Sequence, residues 1–211
     1  MDAPTRLAMK WLEGEDFSNL LAKFIKPLLI KGAPSVIQDL KEFYTNQAKT
    51  LAIERLLLSY LANMDTERVL DKDDKQEQDP TVHLWLLYFI SNHYLFRRDV
   101  ENALKYVNLA IEHTPTLLDL YTLKGKIYRE AGNRTLAAKL HEEARVLDQA
   151  DRALNAIAAV YAVKAGNIEQ GNDTISIFFK DLGYESNVHD NQCLWFEQAC
   201  GTYHYKLGNY C

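Results

Sequence analysis

The stretch KIYREAGNRTLAAKLHEEA, residues 126–144, sets Ala-Gly-Asn between two helical patterns. The same tripeptide returns in AVKAGNIEQG, residues 162–171, where Gly166 follows Gly132 by 34 residues. Glycine enters the left-handed region at little cost, and asparagine tolerates it. A Gly-Asn pair between two amphipathic runs therefore reads as a joint between consecutive helices. From Thr81 onward such runs follow one another with very short breaks, and no stretch sustains the alternation of a half-buried strand. The chain is expected to be all-α.

A period near 34 is the signature of tetratricopeptide repeats, each a helix-turn-helix unit. These repeats favour a small residue at position eight, Tyr at eleven, Ala at twenty and twenty-seven, and Pro at thirty-two. Counting from residue 84, the first unit supplies Ser91, Tyr94, Ala103, Ala110 and Pro115. The second supplies Gly125, Tyr128, Ala137 and Ala144, with Gln149 in place of the proline. The third supplies Ala159, Ala162, Gly171 and Phe178, a degenerate unit. Small residues at these positions let two helices cross closely, where a large side chain would force them apart. A further Gly-Asn at Gly208 starts a fourth unit after an insertion in DLGYESNVHD, residues 181–190. The expected architecture is a right-handed α-α superhelix, a solenoid with units at about 84–117, 118–151, 152–185 and, in part, 190–211. Its last unit stops short of its second helix, so the chain is expected to be a piece of a longer protein.

Outward from the repeats, residues 1–64 read as helices. DFSNLLAKFIKPLLIKG places Phe17, Leu20, Leu21, Phe24 and Ile25 on one face, with Asp16 or Ser18 to start it and Gly32 to end it. Pro34 suits the first turn of a helix through VIQDLKEFY, and another helix is expected from about Gln47 to Asn63. Residues 65–80 are almost wholly charged and polar, and Asp71 to Asp79 reads as a solvated, mobile linker. The composition, 47% hydrophobic with only 9 Gly and 5 Pro in 211 residues, fits a sizeable core of long helices. The net charge of −5 argues against a nucleic-acid surface over the whole chain, and no direct nucleic-acid binding is expected. Cys193, Cys200 and Cys211 read as reduced thiols. The N-terminus carries no long apolar run and no other run is long enough to span a membrane, so a cytoplasmic location is the expectation.

Two surfaces stand out. In such repeats helix A lines a concave groove. The groove positions include Trp85, Tyr88, Asn92, Leu95 and Phe96 in the first unit, and Val160, Val163 and Lys164 in the third. This largely apolar set reads as a partner groove or as a face covered by neighbouring helices. The second unit instead gathers Lys126, Tyr128, Arg129 and Arg134 around its turn. That cluster reads as a holder for a phosphate-rich anion or an acidic segment, or as a solvated face balanced by Glu130, Glu142 and Glu143. No catalytic constellation and no metal-ligand spacing is present, so no catalytic residue, metal or cofactor is expected. REAGNR, residues 129–134, matches the first positions of an acetyl-CoA pyrophosphate loop. It puts Arg134 where a small residue is required, and it follows a helix rather than a strand.

Several phrases carry more than the repeat. DAPTRLAMKWLEGEDF, KGAPSVIQDLKEFY, YFISNHY, ALKYVNLAIEHTPTLLDLYTLKGKIYREAGN, EARVLDQADRALN and NQCLWFEQACGTYHY run in order through nearly the whole chain. Together they resemble the auxiliary, ribosome-anchoring subunit of the N-terminal acetyltransferase A complex. The resemblance implies a middle fragment of a non-catalytic helical scaffold. The scaffold would cradle the catalytic acetyltransferase subunit, tune it for co-translational acetylation, and reach the ribosome through other parts of the full-length chain. It further implies inositol hexakisphosphate as a structural ligand of the complex, with Lys126, Tyr128, Arg129 and Arg134 as candidate contacts. The alternative is a repeat adaptor for other protein or peptide partners. It would not be of the carboxylate-clamp type, because Tyr88, Ala153 and Ile157 replace three of the four clamp groups and only Asn92 matches.

Overall fold

The computed structural model describes residues 3–178 and 192–209, and among these every regular element is a helix. The chain forms two compact units, Met1–Pro115 and Thr116–Cys211. The expected insertion in residues 181–190 lies outside the described residues.

In the first unit, α1 (Ala3–Trp11) and α2 (Gly14–Ile30) are followed by a short α3 (Val36–Asp39) and a 3-10 turn (Lys41–Thr45). Next come α4 (Gln47–Glu67), α5 (Pro80–Phe96) and α6 (Val100–His113). Phe17, Leu21, Ile25 and Leu29 of α2 meet Ile53, Leu57 and Tyr60 of α4 in a fully buried core. Lys49 is buried within it. Its Nζ donates to the carbonyls of Met9 and Lys10 at 2.8 Å each, closing the open end of α1, and sits over the Phe17 and Phe43 rings. Glu13, rather than Asp16 or Ser18, occupies the N-cap of α2. The helix expected through VIQDLKEFY is shortened to α3 and the 3-10 turn.

The tract expected to be a free linker is tied down. Val69 and Leu70 are buried, and Asn63 donates to the Leu70 carbonyl at 2.7 Å. Lys26 holds both Asp71 and Asp74 at 2.5 Å, and the Gln78 amide donates to the Arg68 carbonyl. Composition reads as solvation because it counts charges and cannot see that one lysine of a distant helix collects two of them. Nor is this tract the unit boundary. The first repeat belongs to the same compact unit as the N-terminal helices.

That placement corrects the apolar groove of the first unit. Tyr88 and Asn92 are buried, and the Asn92 side chain donates to the Tyr88 carbonyl. Trp85, half-buried, leaves no room for a Cβ on Gly32 at the end of α2 and meets Tyr88 edge-on. Phe96 packs on Tyr44 at 5.1 Å between ring centroids, and Leu95 is half-buried. A helix apolar on all sides is covered on all sides, and α5 buries residues from Val82 to Tyr94 on every face.

The described residues of the second unit form α7 (Leu118–Glu130), α8 (Arg134–Leu147), α9 (Arg152–Lys164), α10 (Ile168–Ser176) and α11 (Leu194–Lys206). Within each unit the consecutive pairs α5–α6, α7–α8 and α9–α10 form tight hairpins. Their crossings sit on the small residues. Ala103, Ala110, Ala137, Ala144 and Ala159 are fully buried, and the Ser91 hydroxyl donates to the Ala103 carbonyl. A Cβ on Gly125 would meet His141 Nε2 at 2.8 Å, and one on Gly171 would collide with Val163. Val163 and the half-buried Val160 face Phe196 and Ala199 of α11 and belong to the core rather than to an open groove.

The Gly-Asn joint does two jobs. Gly132 takes φ +81 and closes α7, with the Asn133 amide donating to the Tyr128 carbonyl at 2.9 Å. The Asn133 side chain then accepts from the Leu136 amide at 3.0 Å and starts α8. Gly166 and Asn167 repeat both bonds for α9 and α10. In the first repeat Arg98 at φ +59 and Asp99 take the same roles.

Nothing lies within 4 Å of a Cβ placed on Gly132. Gly132→Ala therefore isolates the cost of the left-handed backbone, about 1 kcal/mol or more, and Asn133→Ala costs about 1 kcal/mol through the lost cap; urea midpoints measure both. Burial lowers His93 and His141 to about 4. The unfolded chain then takes up protons first, so stability held above pH 6.5 is lost as pH falls toward 4. Each imidazole contributes a loss on the order of 3 kcal/mol. Thermal unfolding of His141→Phe is expected to show a shallower acid decline than the parent.

Candidate functional site

The turn joining α7 to α8 opens onto a cleft of about 1110 Å³ in the second unit. Four cationic residues line it: Arg129 at the end of α7, Arg134 at the start of α8, Lys164 at the end of α9 and Lys206 at the end of α11. Among the described residues no carboxylate lines the cleft. Asn133 and Thr135 bring the N-terminus of α8 to it, so the helix dipole adds to the positive potential. Trp195, Gln198 and Thr202 of α11 complete the wall with an aromatic face and two hydrogen-bonding side chains.

Tyr161 organises the interior. Its hydroxyl accepts from Arg129 Nη1 at 3.3 Å. Lys164 Nζ lies 5.8 Å from its ring, and the His141 ring packs against it at 3.8 Å between centroids. The other guanidinium nitrogen of Arg129 donates to Glu130 at 2.6 Å. This is the charge balance expected for a solvated face, but it reaches only one of the four cations. Glu142 is taken by Arg145 through bonds of 2.6 and 2.8 Å, and Glu143 lies 3.9 Å from Lys139. Among the described residues Arg134, Lys164 and Lys206 have no ion pair, an arrangement suited to a polyanion.

Of the four residues singled out around the turn, Arg129 and Arg134 line the cleft and Lys126 and Tyr128 do not. Lys126 is half-buried behind Arg129. Burial, with the Arg129 charge beside it, holds its ammonium below the usual lysine range. Sequence spacing missed Tyr161, Trp195, Gln198, Thr202 and Lys206. Lys164 stood at a groove position of the third unit, and that was the one available signal. Lys206 had none, because residues 179–191 separate α11 from the repeat register. A second cleft of about 700 Å³ is lined by Ala138, Val146, Leu147, Ala162 and Ala165, and its one cation, Lys139, is offset by Glu142 and Glu143.

The model of the family described as N-terminal acetyltransferase A, auxiliary subunit, matches residues 1–211. The N-terminal acetyltransferase A complex auxiliary subunit NAA15 of Arabidopsis thaliana is 35% identical over 207 residues, which cover 98% of this chain and 23% of that protein. N-alpha-acetyltransferase 16, NatA auxiliary subunit, of Homo sapiens is 34% identical over 209 residues, covering 98% and 24%. A chain in the solved structure of Naa15/Naa10 bound to HypK-THB aligns with a TM-score of 0.87 at 29% identity. The match covers 99% of this chain and 31% of that one. The chain spans about a quarter of the length of the two relatives. With the family model matching from end to end, the chain belongs to the auxiliary-subunit family of N-terminal acetyltransferase A.

Proposed function

We propose that this chain is a segment of a non-catalytic scaffold that holds a catalytic N-terminal acetyltransferase subunit. The observation that carries the reading is the likeness, over 99% of the chain, to a chain in the solved structure of Naa15/Naa10 bound to HypK-THB. Tandem helical hairpins suit the task, since each presents side chains from rigid elements at a fixed repeat. In this reading the full-length chain works in the cytoplasm at the ribosome. It tunes its catalytic partner for N-termini as they emerge, and ribosome contact falls to segments beyond these residues.

The basic cleft has its own part in the proposal. Arg129, Arg134, Lys164 and Lys206 bind inositol hexakisphosphate or a polyanion of like charge density, as a structural ligand of the assembled complex. The residues present fit such a group: four cations, three of them without an ion pair among the described residues, and no carboxylate along the described lining. Lys126 supports the site from behind Arg129, and Tyr128 drops out of the first rank. A free-standing repeat adaptor is less well supported, because Tyr88 and Asn92 are buried within the first unit.

The test is capture with the full-length chain followed by thermal unfolding. An acetyltransferase subunit is expected in equal amount. Inositol hexakisphosphate at a hundred times its Kd is expected to stabilise the complex by about 2.7 kcal/mol. Arg134→Glu with Lys206→Glu is expected to remove the stabilisation. Capture without an acetyltransferase would overturn the scaffold, and an unchanged melting shift in the double variant would overturn the cleft assignment.

A further inference from the structure

His141, on α8, is 1% exposed, and among the described residues neither of its ring nitrogens has a hydrogen-bond partner. An unpaired buried polar group is destabilising, and an apolar ring would fill the same space without that cost. The imidazole is wedged between two helices. Gly125 of α7 approaches so closely that a Cβ there would meet Nε2 at 2.8 Å, and Tyr161 of α9 covers the other side at 3.8 Å between centroids. The charges facing it from α7 are Lys126 and Arg129, both of which oppose a positive imidazole. From α9 the facing group is the Tyr161 phenol, with Lys164 near the same ring. On its own helix the adjacent Glu142 is occupied by Arg145. Arg129 and Tyr161 both line the cleft, so the imidazole lies directly beneath the cleft's interior wall.

We propose that His141 is a proton-linked element of the cleft: a polyanion held by Arg129, Arg134, Lys164 and Lys206 favours its imidazolium, and the imidazolium in turn tightens polyanion binding. The proposal rests on reading the cleft as an anion site. Without an anion, burial and the nearby cations keep the ring neutral. A polyanion across the cleft opposes that field, and the burial of the ring leaves the effect weakly screened. Coupling of this kind is reciprocal. Whatever factor the anion adds to proton affinity, the proton adds to anion affinity, about tenfold for each unit by which the imidazole rises. The orphaned nitrogens then have a use. A histidine held neutral under a cationic cleft responds to the cleft's occupant, whereas a phenylalanine would not.

The probe is a fully sulfated inositol, whose charges do not titrate, bound to the intact protein. Isothermal calorimetry is run near pH 7.5 and near pH 5.5 in buffers of different ionisation enthalpy, which counts the protons taken up. The expected result is binding without proton uptake at the higher pH. At the lower pH it is uptake of a fraction of a proton with a severalfold gain in affinity. Both effects should vanish in His141→Phe and in His141→Gln. Binding without uptake in the parent protein, or equal uptake in both variants, would overturn the proposal and leave the anion site standing. No binding at either pH, or binding undiminished by Arg134→Glu with Lys206→Glu, would overturn the anion site and the proposal together.

Discussion

Close crossing of paired helices at residues with almost no side chain is the constraint on which the repeats depend. Ser91 against Ala103, Gly125 against His141, and Ala159 against Gly171 let the two backbones approach. Interiors packed at crystal density leave no slack for an added methyl at such points. Once the crossing is close, the connection must be short. A connection that short ends one helix and begins the next within three residues. Gly132 and Gly166 supply the left-handed turn, and Asn133 and Asn167 supply the cap. The Schellman bond and the cap bond share one residue, so the angle of entry into the second helix is set by chemistry local to the joint.

The cleft is a consequence of that joint. Ending α7 and starting α8 within three residues places Arg129 and Arg134 on either side of one turn. The next helix A ends in Lys164 and brings Tyr161 to Arg129, and α11 adds Lys206 and Trp195. Of the acidic residues nearby, Glu142 is occupied by Arg145, outside the cleft lining, and Glu130 offsets Arg129 alone. The chain as a whole is acidic, at −5, yet this concave surface is cationic. Net charge describes solubility and long-range behaviour, whereas a ligand meets the local field.

Burial explains why one sequence-level surface survived and the other did not. The cationic turn remained open because long charged side chains keep their heads in water. The apolar helix-A positions closed. Trp85 and Phe96 met Gly32 and Tyr44 of the N-terminal elements, and Val163 met Phe196 of α11. An apolar face is equally suited to a partner chain and to a neighbouring helix of its own chain. The pattern of residues along one helix cannot say which arrives. The charged tract after α4 is the converse case. Its composition read as solvent-facing, but Lys26 gathers Asp71 and Asp74 while Leu70 turns inward.

By itself the sequence determined the helical class, the hairpins with their joints, and the family. Each of these rests on features within about one repeat of each other: periodicity, a left-handed glycine with a capping asparagine, and phrases of contiguous residues. Tertiary structure alone decided which surfaces stayed open and which side chains share the cleft. Lys164 and Lys206 reach Arg129 from other helices, and His141 comes to lie unpaired beneath Tyr161, only through packing between elements. The physical reason is range. Backbone conformation and capping are settled by neighbours along the chain, whereas burial and electrostatic fields are settled by neighbours in space.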